Sequence, residues 1–437
     1  MKKVILVVLS ICLCLAVFGT AALGETAAAE QTGAAEQTAA AEQTASEEQT
    51  AAEEKTDTEE KTAEELLQAA EDAYKAKDYA KALEYYEQAA ELGSAEALRQ
   101  IGVSYVNGEG VEQNYEKALE YFQKAVDLGE AKALRNIGTL YRKGLGVEQS
   151  GEKALEYYQK GAEMGDAECM SAIGSMYFYG EGAEQDYAKA MEYWEKAAEM
   201  GSGQGYYSLG FLYGAGLGVE KSLEKAKEYY LLAADHGEPY AWTVLGNMSF
   251  YGEAGEQDYE QALKYWEKAA EEGVPDGQYG AGMMYNYGFG TEKDTAKAAE
   301  YYLQAAENGN SYAMTALGAL YEEGDGVEQD IEKAVAYYQQ AVDLENPYAM
   351  EALGKLYAVG KGVAQNWGKA MEYVQKAADQ GIAEAVTSLG DFYYLGAGVE
   401  QDYEKAAEYY RQAAELGDEE AAERLKTMTE EGQIKEK

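Results

Sequence analysis

Histidine, proline and cysteine are scarce in this sequence. Its 437 residues include one His, three Pro and three Cys. Beyond the first 24 residues the only His is His236 and the only Cys is Cys169, so that part of the chain lacks the residue sets that build ordinary zinc sites or nucleophile–base pairs. Cys169 falls in a column of small residues and is expected to be a buried, inert thiol. With a single Cys beyond residue 24, no disulfide can form within that part of the chain.

Basic residues are also few compared with acidic ones. The chain has 36 Lys and Arg against 80 Asp and Glu, a formal net charge of −44. Such a charge repels the phosphates of nucleic acids and anionic membrane surfaces, so neither is expected as a partner. No carboxylates are spaced as an acid–base couple, and the loop at 322–326 lacks the alternating oxygen ligands of an EF-hand. Because phosphate-loop and dinucleotide motifs are missing too, we expect a non-catalytic protein without cofactor or metal.

The first 62 residues have the composition of a leader and a tether. Residues 1–24 join two lysines to a long uncharged run and end in small residues, which is typical of a signal peptide. The run 4–23 is also long enough to span a bilayer uncleaved, so a signal anchor is the alternative. Either one predicts repeats outside the cytoplasm, secreted or tethered to the cell surface. Residues 25–62 are predicted to be a disordered acidic tether rich in Ala, Glu, Gln and Thr, because alanine is their only apolar residue.

What the sequence has in abundance is repetition with a period of 36 residues. Each unit contains two stretches with helical spacing, of which 95–106 and 114–128 are one example. Asn114 and its nine equivalents are Asp, Asn or Ser, which suits helix N-caps. Leu128 is expected on the apolar face of the second helix. Gly102 recurs in the middle of the first helix, which indicates close approach of the partner helix with no room for a Cβ.

The ends of the repeated region depart from the pattern. Residues 63–93 have a tight turn and no Gly-x-Gly loop, so we interpret them as an atypical tetratricopeptide-like N-terminal unit. Residues 94–417 hold nine regular units. Residues 418–437 are predicted to be a C-terminal capping helix and a tail that frays from residue 433. Where Glu345 replaces the glycine between two units, Asn346 is expected to take the left-handed conformation.

These motifs together resemble the Sel1-like repeat family, an α-solenoid relative of the tetratricopeptide repeat. The matching residues are Leu/Ile-Gly-x-x-Tyr in the first helix, the Gly-x-Gly loop, and Lys-Ala-x-x-Tyr-Tyr in the second helix. The resemblance implies an all-α fold, an α-solenoid of stacked antiparallel helix pairs that follows a right-handed superhelix. The secreted, cysteine-rich branch of that family staples each repeat with disulfides. This chain cannot, so no activity of that branch carries over.

A candidate binding groove follows from three first-helix columns that vary while the core columns do not. In helix-pair solenoids the first helices usually line the concave face. The columns are basic in the early units, aromatic in the middle and acidic towards the end. Exposed aromatics in a cluster predict anchors for an extended peptide or helix, and the arginines favour an acidic end of it. The predicted partner-binding residues are Arg99, Arg135, Arg142, Phe178, Tyr207, Phe211, Phe250, Tyr279 and Met283. The alternative is that these side chains pack between neighbouring units.

The sequence thus predicts a non-catalytic, extracytoplasmic adaptor or scaffold for a protein or peptide partner. Two alternatives from other classes stay open. One is a secreted hydrolase that acts on cell-wall material. The other is a passive acidic spacer or cation-binding surface protein. The sequence makes no prediction of an oligomeric state.

Overall fold

The computed structural model of the protein describes residues 61–434. This part of the chain forms 21 helices and no strand, which confirms the predicted all-α fold. The predicted leader (1–24) and all but the last two residues of the predicted tether (25–62) lie outside the described residues. Within 61–434, no helix is long and apolar enough to cross a bilayer.

The helices belong to two compact units, one that ends at Gly237 and one that begins at Glu238. The first unit holds α1 (Ala63–Lys75), α2 (Tyr79–Glu91), α3 (Ala95–Asn107), α4 (Tyr115–Asp127), α5 (Ala131–Lys143), α6 (Gly151–Glu163), α7 (Ala167–Tyr179), α8 (Tyr187–Glu199), α9 (Gly203–Ala215) and α10 (Leu223–Asp235). The second unit holds α11 (Tyr240–Tyr251), α12 (Tyr259–Glu271), α13 (Pro275–Tyr287), α14 (Thr295–Glu307), α15 (Ser311–Glu323), α16 (Ile331–Asp343), α17 (Pro347–Val359), α18 (Trp367–Asp379), α19 (Ala383–Leu395), α20 (Tyr403–Glu415) and α21 (Glu419–Glu430). Each odd-numbered helix up to α19 packs against the even-numbered helix that follows it, as the repeat predicts.

The even-numbered helices begin where the cap column predicts. In all ten, the side chain of the N-cap residue accepts a hydrogen bond from the backbone N–H three positions later. Asn114 Oδ1, for example, lies 2.9 Å from the backbone nitrogen of Lys117. These bonds satisfy donors that the first helical turn leaves without a partner. The position of each second helix is therefore encoded locally.

Glycine in the odd-numbered helices sets how closely each helix pair packs. A Cβ on Gly102 would lie 2.5 Å from the ring of Phe122, and one on Gly174 would lie 2.5 Å from the indole of Trp194. Contacts this short do not occur in folded proteins, so only glycine admits these buried rings. The predicted close approach is confirmed. Around it, small buried residues such as Ala118 and Ala125 complete the core of each pair.

Stacked pairs of tyrosines, most of them half-buried, recur along the described repeats. In the first unit, Tyr105 stacks on Tyr121 with ring centroids 5.6 Å apart and an interplanar angle of 17°. The ammonium groups of Lys117 and Lys124 lie 5.2 and 4.6 Å from the centroids of these two rings. Tyr–Tyr stacks of this kind recur in both units. Stacking and cation–π contacts within the fold therefore account for the tyrosines of these columns.

Three local predictions are wrong. Leu128 is 55% exposed, because α4 ends at Asp127 and the next residue no longer follows its apolar face. Glu345 itself takes the left-handed conformation, with φ of 59°. Asn346 is extended because the ring of the following Pro347 restricts it, and it caps α17 instead. Ile434, in the tail expected to fray, is buried in a cluster with Met428.

Candidate functional site

The nine predicted partner-binding residues lie on odd-numbered helices of both units. Six of them are in the first unit: Arg99 on α3, Arg135 and Arg142 on α5, Phe178 on α7, and Tyr207 and Phe211 on α9. The other three are in the second unit: Phe250 on α11, and Tyr279 and Met283 on α13.

The three arginines differ in how far the fold already uses their charge. Arg99 is paired with Glu96 at 2.6 Å, and its side chain is only 11% exposed. Arg142 lies 4.0 Å from Glu181, at the limit of an ion pair. Arg135 is half-exposed, and its guanidinium makes no hydrogen bond or ion pair with another described residue; only its backbone carbonyl accepts a hydrogen bond from a side chain, that of Thr139. A guanidinium offers five N–H donors, so Arg135 is the strongest candidate for an external acceptor.

The aromatic residues of the first unit form a layered cluster. The ring of Phe178 is buried against Trp194 and Phe211, with centroids 5.6 and 5.7 Å away. Phe211 is half-exposed and forms the outer layer. Tyr207, also half-exposed, packs edge-on against Tyr230 at 5.3 Å. Phe178 was expected to be exposed, and that expectation is wrong. Its ring is covered by Phe211 on one side and packs on Trp194 on the other, and Gly174 leaves the room that the indole of Trp194 needs.

The second unit repeats part of this arrangement. Phe250 is only 4% exposed and packs on Trp266 at 5.5 Å, as Phe178 does on Trp194. Met283 is 2% exposed, so its expected exposure is wrong as well. Tyr279 is half-exposed, with its ring 5.8 Å from that of Tyr302. Packing between helices, the alternative explanation for these columns, accounts for the burial of Phe250 and Met283.

The acidic residues at the late positions of the three columns are engaged within the second unit. Glu322 accepts hydrogen bonds from the hydroxyl of Tyr338 at 3.1 Å and from the ammonium of Lys361 at 3.0 Å. Asp391 accepts one from the hydroxyl of Tyr410 at 2.6 Å. The basic-to-acidic trend along the chain therefore ends in carboxylates that already satisfy internal donors.

Cys169 and His236 both make contacts that are typical of structural residues. Cys169 is fully buried, and burial together with the nearby Asp166 raises the pKa of its thiol, which keeps the thiol protonated. His236 follows α10, with Nδ1 2.9 Å from the carbonyl oxygen of Leu232 and its ring against Tyr206. Within residues 61–434, no group of three or more His, Cys, Asp or Glu is placed to hold a metal ion.

A recurring glutamine that the sequence analysis did not use holds the candidate surface in place. Gln113 Nε2 donates to the carbonyl of Val106 at 2.8 Å, and Gln185 Nε2 donates to that of Phe178 at 2.8 Å. The same bond closes five further loops. Each one satisfies a carbonyl in the last turn of an odd-numbered helix. The signal was present in the sequence, because this glutamine recurs with the 36-residue period.

Comparison with known proteins gives the chain its family. The Sel1 repeat model matches ten consecutive segments: 71–94, 95–130, 131–166, 167–202, 203–238, 243–274, 275–310, 311–346, 347–382 and 383–418. The chain belongs to the Sel1 repeat family. The resemblance inferred from the motifs is thus confirmed, and so is the α-solenoid architecture. Sel1 repeat solenoids are commonly protein-interaction scaffolds, and the family is generally non-catalytic.

Solved structures of Sel1 repeat proteins are similar to this chain. A Sel1 repeat protein from Oxalobacter formigenes is 30% identical, over 71% of this chain and 90% of its own, with a TM-score of 0.50. A protective antigen of uropathogenic Escherichia coli that displays an SLR fold is 29% identical, over 85% and 88%, with a TM-score of 0.48. Helicobacter pylori cysteine rich protein B is 28% identical, over 29% and 92%, with a TM-score of 0.25. A search of the curated proteins found no significant match.

Proposed function

We propose that this protein is a non-catalytic scaffold that works outside the cytoplasm and binds a protein partner on the odd-helix face of its first unit. The scaffold role is supported by the family, whose members generally bind protein partners. The location is supported by the composition of residues 1–24. The site is supported chiefly by Arg135, whose donors are unused by the described residues.

The surroundings of Arg135 fit a binding surface better than a packing role. Ser171, Thr243 and Thr387 of the same column are buried, whereas Arg135 is half-exposed and its guanidinium donors meet no acceptor among the described residues. Arginine and aromatic side chains carry most of the binding energy in protein interfaces. Phe211 offers such an aromatic side chain, half-exposed and held from below by the buried ring of Phe178. A supported ring loses little conformational freedom when a partner covers it.

Of the predicted site residues, those that keep a binding role in this proposal are the exposed and half-exposed ones. In the first unit these are Arg135, Arg142, Tyr207 and Phe211. The side chain of Arg99 is only 11% exposed, and Tyr279 lies in the second unit, so neither belongs to the proposed surface. The arginines favour an acidic stretch of the partner, and the aromatics favour apolar anchors beside it. Phe178 packs under this surface, whereas Phe250 and Met283 are buried within the second unit.

A capture experiment with matched variants tests the proposal. The full-length chain, tagged at its C-terminus, is crosslinked on the cells that produce it, beside Arg135→Gln/Phe211→Ala and a control, Leu232→Ala/Arg411→Gln. The control removes an arginine and an exposed apolar side chain from even-numbered helices. We expect one partner to be retained by the wild type and the control, with about 30-fold weaker binding to the first variant.

Other outcomes distinguish the alternatives. Equal retention of the partner by both variants would contradict the site. Saturable, stoichiometric calcium binding without a protein partner would favour the acidic spacer, and turnover of cell-wall material by pure protein would favour the hydrolase. Fractionation of the same cells tests the location, because chain found only in the cytoplasm would contradict it.

A further inference from the structure

A row of apolar side chains is exposed along one edge of the first unit. Leu92, Leu128, Met164 and Met200 directly follow helices α2, α4, α6 and α8, one in each of four consecutive repeats. They are 58%, 55%, 48% and 44% exposed, respectively. A single exposed leucine is ordinary, but four at equivalent positions of adjacent repeats form one feature. These four residues are called the turn stripe below.

The described residues leave the turns of the stripe uncovered, and the last of these turns lies beside the next turn of the same column. A Cβ on Gly201, which follows Met200, would lie 3.8 Å from a ring carbon of His236, the next residue in the same column. The glycines after the other three stripe residues would place a Cβ in open space, with no atom within 4 Å: Gly93, Gly129 and Gly165. The stripe is therefore bordered by bare backbone that a partner can approach closely.

The border of the turn stripe is acidic. An exposed carboxylate precedes each of its members: Glu91, Asp127, Glu163 and Glu199. The C-terminal ends of four helices add partial negative charge from their last carbonyl groups. Lys160 and Lys196 lie one turn earlier, but their ammonium groups are bound to Glu156 and Glu192 of their own helices at 2.7 Å. Lys124 lies over the ring of Tyr121.

We infer that the turn stripe is a docking surface for a cationic amphipathic helix. The apolar row supplies the contact area, and the acidic border supplies charge complementarity for Lys or Arg on either side of the helix. The two methionines of the stripe are flexible and adapt to different apolar side chains. This surface is separate from the proposed odd-helix site, and the inference does not depend on that site.

The repeat spacing sets the pattern that the docked helix needs. Successive stripe helices pack on the odd-numbered helix between them, at about 10 Å. The designed probe takes the same step of about 10 Å from one stripe residue to the next. Seven residues of an α-helix rise about 10.5 Å. Apolar residues at every seventh position of a helix of about 22 residues would therefore meet all four members of the stripe.

The second unit provides an internal control. Its equivalent column reads Glu272, Asn308, Leu344, Gln380 and Leu416. Only Leu344 and Leu416 are apolar, and polar residues flank each of them, so no continuous row forms. Gln380 also shows that glutamine is accommodated at this position of the fold. Glutamine is therefore a conservative substitution for testing the stripe.

The test measures binding of a designed helix to the full-length chain. The probe is a fluorescein-labelled 22-residue peptide with Leu at every seventh position and Lys beside each Leu, and its control is a scrambled peptide of the same composition. The stripe variant is Leu92→Gln/Leu128→Gln/Met164→Gln/Met200→Gln, and the matched variant is Leu344→Gln/Leu416→Gln. By fluorescence anisotropy we expect saturable binding that the stripe variant weakens more than about 30-fold and the matched variant less than about twofold. Added salt should weaken it further.

Several results would overturn the inference. They are no saturable binding by the wild type, equal binding by a stripe variant whose circular dichroism is unchanged, and equal binding of the scrambled peptide. Concentration-dependent dimerisation lost in the stripe variant would assign the surface to a second copy of the chain instead. Retention of the peptide by Arg135→Gln/Phe211→Ala is expected, and its loss there would count against a separate surface.

Discussion

Substitution of Gly174 by alanine should destabilise the first unit, although alanine is the better helix former. The new Cβ would lie 2.5 Å from Nε1 of Trp194, so the buried indole has to move. That movement breaks the hydrogen bond from Nε1 to the carbonyl of Ser171, now 3.0 Å long. Gly214→Ala is the matched control, because in the neighbouring odd-numbered helix the new Cβ would make only an ordinary contact, at 3.6 Å.

The expected magnitudes separate the two variants clearly. Overpacking costs about 1–3 kcal/mol, and loss of the hydrogen bond costs about 1 kcal/mol. Higher helix propensity returns about 1 kcal/mol, so Gly174→Ala should lower the free energy of unfolding by about 1–3 kcal/mol. Gly214→Ala gains the propensity term alone and should raise the free energy of unfolding by up to about 1 kcal/mol.

Urea unfolding followed by the fluorescence of Trp194 measures both effects. Trp194 is the only tryptophan before Gly237, so a background in which the other three are Phe reports on the first unit. A lower midpoint for Gly174→Ala, with an unchanged m-value, is the expected result. A Gly174→Ala variant as stable as the Gly214→Ala variant would refute the proposed reason for glycine at this position.

Four further predictions concern caps, a buried network, pH and the thiol. Asp186→Ala should lower the free energy of unfolding by about 1 kcal/mol, because it removes the helix cap, whereas Asp186→Asn keeps the cap. Equal urea midpoints for these two variants would contradict this. Ser202→Ala should lower the free energy of unfolding by about 2 kcal/mol, because Ser202 Oγ contacts Ser171 Oγ at 2.9 Å and Glu168 Oε1 at 2.7 Å in addition to capping its helix. Ser222→Ala removes a cap without such a buried network and should lower it less. Burial raises the pKa of Tyr158 and Tyr302 above 10.0, so the stability that these tyrosines contribute is present below about pH 10 and falls as pH rises above it. In a pH titration followed by absorbance at 295 nm, some tyrosines of the folded protein should ionise only well above pH 10. Ionisation of all tyrosines together near pH 10 would contradict the raised pKa values. Cys169 should react with a thiol reagent only on unfolding, and fast reaction of the native chain would contradict its burial.

Features that depend on residues close in sequence were predicted well. The cap column and the turn glycines carry short-range signals, and their recurrence at a fixed interval identified every helix pair. Gly102 could be assigned to a helix contact because a glycine in the middle of a helix is costly unless a close approach requires it. The left-handed conformation of Glu345 was not predicted. It follows from the extended conformation of Asn346, which is imposed by the ring of the next residue, Pro347.

Exposure across repeats was harder to predict. Column spacing shows which side of a helix Phe178 occupies, but not whether Trp194 and Phe211 lie close enough to cover it. A signal was available, since Phe250 stands before Trp266 at the same interval as Phe178 stands before Trp194. The turn stripe was missed because helical periodicity was extended past the last residue of α4, where it no longer applies.

Site-specific photocrosslinking tests the central claim, a partner on the odd-helix face of the first unit, most directly. A photoreactive phenylalanine replaces Phe211 in one version of the full-length chain and the exposed Glu195 of α8 in another. After irradiation on the producing cells, mass spectrometry identifies the crosslinked peptide. We expect one protein adduct from position 211, with acidic and apolar residues in the crosslinked peptide, and no adduct of that protein from position 195. The same adduct from both positions, or from position 195 alone, would contradict it.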